Sequence, residues 1–131
     1  MSGLEVEVVG REYAPGAPAD PEVERLVTLA IASAAITDGH VAVEFVDAER
    51  ITELNAEHRG KEGPTDVLSF PVDEAGEVGY GTRELGDVII CPAHTVDLRE
   101  AIVHGALHLI GMDHETDDGE MLAVQAEILS W

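Results

Sequence analysis

The residues best placed to do chemistry lie in one short run, His104-Gly-Ala-Leu-His108-Leu-Ile-Gly111-Met-Asp-His114. His104 and His108 are four apart, so on a helix they share a face with Cβ atoms about 6 Å apart. Both imidazoles can then reach one metal ion. Gly111 can take a left-handed conformation and end the helix. The chain can then turn back and carry His114 to the same ion. Three neutral nitrogens and a water make a tetrahedral zinc site with one open position, the arrangement of catalytic rather than structural zinc. Water in such a site has its pKa lowered to about 7. The expectation is one Zn(2+) ion held by His104, His108 and His114. The competing reading is a helix with two capping or core histidines and an unrelated third. Asp113 can either orient a ligand or sit exposed in the turn.

The residue after the first histidine narrows the reaction. A metalloprotease of the zincin type carries a glutamate there as general base. This chain has Gly105, which cannot move protons but lets another group approach the helix closely. Peptide hydrolysis by that route is disfavoured. The reaction needs a base from elsewhere, a metal hydroxide, or a substrate carrying its own nucleophile, as RNA does in its 2′-hydroxyl.

The elements that must hold this cluster can be read from hydrophobic spacing. Leu4 to Val9 alternates apolar and acidic residues, a half-buried strand. Asp20 and Pro21 read as an N-cap and first helical residue. Val23, Leu26, Val27, Ala30, Ile31 and Ala34 then follow at helical spacing, and Gly39 closes that helix. Val41 to Val46 is a second strand. Asp47 caps a helix with Ile51 and Leu54 inward and Gly60 past its end. Asp66 to Val72 is a strand whose Pro71 marks a strand end or sheet edge. Gly86 to Cys91 is a buried strand stopped by Pro92. Asp97 to Ile110 is the histidine helix. Asp117 or Asp118 opens the last helix, with Met121, Leu122, Gln125, Ile128 and Leu129 repeating at helical spacing. The order β-α-β-α-β-β-α-α predicts an α+β fold, a small mixed sheet of about four strands with helices packed on it.

Composition bounds the rest. A length of 131 residues with 45% hydrophobic content fits a single domain, 1–131, with its own core. One cysteine, Cys91, excludes an internal disulfide and a thiolate-rich zinc site. No stretch reaches membrane-spanning length, and the N-terminus carries glutamates where a secretory signal carries positive charge. A soluble, cytoplasmic protein without membrane contact is expected. The 27 acidic residues against 7 basic give a net charge of −20, and Lys61 is the only lysine. A field of this sign repels phosphate backbones and argues against broad, nonspecific nucleic-acid binding. As a solubility or salt-adapted surface it says nothing of fold.

The run His-Gly-x-Leu-His-Leu-x-Gly-x-Asp-His resembles the signature of the YbeY family, the bacterial rRNA-maturation endoribonucleases. Leu54-Asn55, Arg59 and Thr65-Asp66-Val67-Leu68-Ser69-Phe70-Pro71 are similar to that family's second motif. Leu85-Gly86-Asp87-Val88-Ile89-Ile90 resembles its third, and Glu120-Met121 and Glu127-Ile128-Leu129 fit its C-terminal end. The resemblance implies a zinc-dependent endoribonuclease of single-stranded RNA that acts on the 3′ end of 16S rRNA and in 70S ribosome quality control. It implies zinc on His104, His108 and His114. It implies rRNA and the small ribosomal subunit as partners, with a ribosomal protein as a further one, and leaves the oligomeric state open. It also implies that Arg59 lies in the cleft as a catalytic residue. A guanidinium fork there can hold a phosphodiester and stabilise charge as the bond breaks. The plain alternative is a favourable cation at a helix C-terminus.

Two features depart from the family pattern. Position 112 is methionine where tyrosine is usual, and the stretch from Cys91 to His104 is shorter, lacking room for a further helix. The shorter stretch and the −20 charge suit a rival reading, a non-catalytic ribosome-assembly factor with a structural zinc site. A zinc hydrolase of another substrate class is the second rival. His40, His58 and His94 fall at element boundaries and read as surface or capping residues. Cys91 reads as a small buried hydrophobe, and Thr65 and Asp66 as Asx-turn residues.

Overall fold

A computed structural model describes residues 4–36, 38–71, 84–112 and 119–131. The alternation over Leu4–Val9 forms strand β1, and its helical successor α1 spans Asp20–Ala32. Strand β2 is Gly39–Phe45, helix α2 is Ala48–Arg59, and strands β3 and β4 are Val67–Pro71 and Glu84–Ile90. Helix α3 is Leu98–Leu109 and α4 is Glu120–Leu129. Short 3-10 turns lie at Arg11–Tyr13 and Pro92–His94. The second is all that separates β4 from α3, in keeping with the shortened stretch before His104. No helix among the described residues is long and apolar enough to cross a membrane.

The four strands form one mixed sheet in the order β1-β2-β4-β3. β1 and β4 both run parallel to β2, and β3 runs antiparallel to β4 with Leu68 opposite Ile89. This is the expected α+β architecture. Helices α1, α3 and α4 pack together on one face, where Leu26, Ile31, Val43, Phe45, Val88, Ile102, Leu107, Met121 and Ile128 form the main core. Helix α2 covers only the β3–β4 side of the other face. Val46, Ile51, Leu54, Leu68, Ile89 and Cys91 make a second cluster there, and Cys91 is fully buried as a small hydrophobe.

The caps explain which boundaries were readable. Asp47 accepts a bond from the Arg50 N–H at 2.8 Å and Asp97 one from Glu100 at 3.2 Å, so both act as N-caps. Gly60 ends α2 in the left-handed conformation, φ +65°. At α1 the expectation fails in two places. Ala19, not Asp20, is the N-cap, because the Asp20 carboxylate is drawn instead to Arg11 Nε at 2.7 Å. The helix also stops at Ala32, well before Gly39, with Ala34 exposed and Ala35 taking the left-handed turn at φ +62°. Gly39 begins β2 instead. The proposed caps Asp117 and Asp118 and the end of β3 at Val72 lie outside the described residues, and Gly119 occupies the N-cap of α4. Leu122, one of the residues repeating at helical spacing, is 47% exposed.

Strand β3 is the sheet edge that Pro71 foretold. The Asp66 carbonyl accepts from the Cys91 N–H at 2.9 Å. By the alternation of an antiparallel ladder, Val67, Ser69 and Pro71 then direct their backbone groups away from β4. The Val67 N–H is satisfied at 2.8 Å by the Asp66 carboxylate, and Pro71 has no N–H. Two of the three outward donor positions are thereby removed, which discourages strand addition from another chain.

Candidate active site

The edge strand β3 runs through a cleft of about 760 Å³, also lined by His58 and Arg59 from α2 and His104 and His108 from α3. The sheet edge therefore brings together two motifs that lie far apart in sequence. Two glycine-scale contacts set how closely α3 approaches that edge. A Cβ on Gly105 would stand 2.4 Å from Val88 Cγ1 and 3.1 Å from Val67 Cγ2. Only a residue without a side chain lets the helix lie against β3 and β4 here. The close approach anticipated for Gly105 is thus made by the sheet. The Ser69 hydroxyl then donates to the Gly105 carbonyl at 2.8 Å, fastening the edge strand to the histidine helix.

His104 and His108 share one face of α3 with ring centroids 4.8 Å apart, crossed at 76°. His104 Nδ1 lies 2.9 Å from Gln125 Oε1 on α4. An amide oxygen can only accept, so this contact places the proton on Nδ1 and leaves Nε2 as the lone-pair nitrogen. That is how a metal-binding histidine is oriented, its other nitrogen donating to a fixed oxygen. The donor set of His104 and His108 thus suits a zinc ion. Gln125 is buried, 8% exposed, in an otherwise apolar stripe, and sequence reading counted it only as a core position. A polar residue in an apolar stripe was the available signal.

Helix α3 ends in a Schellman motif. The Met112 N–H bonds to the Leu107 carbonyl at 3.2 Å and the Gly111 N–H to His108 at 3.0 Å, with Gly111 at φ +93°. Met112 packs against the main core at the position where such motifs place an apolar contact. Gly111 therefore turns the chain as its spacing predicted. His114 and Asp113 lie outside the described residues. Among the described residues no group of three His, Cys, Asp or Glu side chains is gathered to hold a metal.

Arg59 sits in the last turn of α2, exposed at the cleft, so it occupies a helix C-terminus and the cleft wall at once. The loop after it is anchored by Asn55, 4% exposed, whose Nδ2 donates to the Gly63 carbonyl at 2.9 Å. Asn55 Oδ1 is buried with no partner among the described residues. That anchor carries Thr65 and Asp66 to the cleft. Asp66 Oδ1 also accepts from the Thr65 hydroxyl at 3.3 Å, the local turn chemistry expected of the pair. His94 is exposed in its 3-10 turn. His40 lies within β2 between Glu7 (3.2 Å) and Glu84 (3.0 Å), away from the cleft-lining set.

Comparison with known proteins points to one family. A family model described as Endoribonuclease YbeY matches residues 19–131. The Endoribonuclease YbeY of Geobacillus thermodenitrificans is 41% identical over 129 residues, covering 82% of this chain and 83% of the relative. That of Sulfurihydrogenibium sp. is 48% identical over 90 residues, covering 60% of this chain and 58% of the relative, less than two thirds of its length. The solution structure of TM1509 from Thermotoga maritima matches 95% of this chain and 87% of its own, with 28% identity and a TM-score of 0.52. On the sequence of its motifs, the fold that joins them and these matches, the chain belongs to the Endoribonuclease YbeY family.

Proposed function

We propose that this protein is a single-strand-specific, zinc-dependent endoribonuclease that acts in the cytoplasm on the 3′ end of 16S rRNA and in 70S ribosome quality control. Its partners are then rRNA and the small ribosomal subunit, with a ribosomal protein as a further contact. Endoribonuclease activity follows from family membership. The observation that carries the finer reading is the cleft itself, which faces His104 and His108 of α3 with Arg59 of α2 across the β3 edge.

His104 and His108 would hold the ion together with His114, and Gln125 orients His104 through its Nδ1. The chemistry supplied there by a bound zinc ion would be Lewis-acid polarisation of the scissile phosphate. Arg59 grips the phosphodiester with its planar fork and neutralises charge as the bond breaks. Gly105 contributes no proton-transfer group, so the nucleophile comes from water or from the RNA 2′-hydroxyl. The acidic surface confines RNA to the cleft, because elsewhere the field repels phosphates.

Chelation and readdition test this. The reading expects one zinc per chain by elemental analysis, loss of single-stranded RNA cleavage with a chelator, and recovery on readdition of zinc. Purified protein without bound zinc, or cleavage indifferent to the chelator, would remove the metal from the mechanism. Ribosome association that persists without any cleavage would support the assembly-factor reading, which the −20 charge and basic ribosomal proteins favour.

A further inference from the structure

We propose that His58, braced by Phe70, is a stacking platform for one unpaired nucleobase of the substrate, and so determines preference for single strands. The inference rests on the ribonuclease reading above and adds to it a residue that contacts base rather than phosphate. His58 and Phe70 both line the cleft that holds Arg59, His104 and His108. Their ring centroids are 4.7 Å apart with planes crossed at 62°. An edge contact of this kind leaves at least one face of the imidazole uncovered by Phe70, whichever ring supplies the edge. The His58 side chain is 50% exposed, so half of it is open to solvent in the cleft. Phe70 is partly buried against the α2 cluster, which makes it a rigid support. The Glu57 carboxylate stands 3.8 Å from Nε2.

Energetics favours such a device in this chain. Proteins that bind single strands combine a cationic track for the backbone with aromatic faces for the bases. Here 7 basic residues stand against 27 acidic ones, so the cationic track is short. Affinity must then lean on base contacts. Stacking needs a base released from its duplex, because a paired base has both faces covered. His58 and Arg59 both line this cleft, so a base on the imidazole and a phosphate on the guanidinium would occupy the same cleft.

The test uses a short 2′-O-methyl oligoadenylate, which resists cleavage, and an abasic oligomer of the same length. Binding is read by fluorescence anisotropy for the wild-type protein, His58→Ala and His58→Phe. The proposal expects His58→Ala to weaken oligoadenylate binding about tenfold. His58→Phe should restore it, and the abasic oligomer should bind all three proteins equally. Equal oligoadenylate affinity in wild type and His58→Ala would overturn the platform. So would an equal loss on the abasic oligomer, which would make His58 a phosphate contact. A wild-type protein that binds neither oligomer would overturn the single-strand reading itself, and the platform with it.

Discussion

At the scale of single residues, the site depends on one absent side chain and one buried amide. Gly105→Ala places a methyl 2.4 Å from Val88 Cγ1. Overpacking of this kind costs roughly 1–3 kcal/mol, to be seen as a lower urea midpoint. Because α3 must lift off the sheet to relieve it, RNA cleavage should fall with it. An unchanged midpoint would mean that the helix is not seated as described. Gln125→Leu keeps the volume but removes the acceptor for His104 Nδ1. Zinc affinity should drop about 10–100-fold, measured by competition with a chromogenic chelator. His104 and His108 were legible in sequence because the four-residue interval is itself geometric information. Gln125 was not, because its role depends on how α4 packs against α3, which no local pattern specifies. That the exposed His58 also lines the cleft was not legible for a related reason. Its neighbour Phe70 lies on another element.

At the scale of elements, helix α1 and the histidine helix α3 are joined by charge. Glu22 accepts from Arg25 Nη2 at 2.9 Å within α1 and from Arg99 Nη2 at 2.8 Å on α3. The Arg25 bond first, and the Arg99 bond next, hold its carboxyl down to about 2 from an ordinary 4.5. A carboxyl with a depressed folded-state pKa stabilises the fold above its unfolded value and loses that contribution as pH falls through the folded one. Glu22→Gln should therefore be less stable than wild type at neutral pH. The difference should close between about pH 4.5 and 2 in parallel urea titrations. A difference that stays constant with pH would exclude an electrostatic origin. Elements with side-chain caps, such as α2 behind Asp47, were bounded correctly from sequence. The ends of α1 were not, because Asp20 is taken by Arg11 from a distant turn and Ala35 reverses the chain without glycine. The sheet order was also beyond local pattern, since β4 inserts between β2 and β3.

At the scale of the molecule, charge is the dominant feature. The uncovered side of the sheet carries Glu7, Glu84 and Asp87 around His40. Burial, and then the Glu84 charge, push the Asp87 carboxyl up, while the Glu84 bond raises His40. A net charge of −20 adds self-repulsion over the whole surface. Screening sets in over about 8 Å at physiological ionic strength. The melting temperature should accordingly rise between low and high sodium chloride, and a flat response would show that the acidic surface carries no stability cost. On the proposed function RNA is cut in the cleft, so the account stands or falls on the histidines that line it. The most direct test is cleavage of a single-stranded fragment covering the 16S rRNA 3′ end by zinc-loaded wild type and His108→Ala, purified identically. The account predicts cutting by the wild type that vanishes in the variant. Equal cutting by both, or none by either, would contradict it.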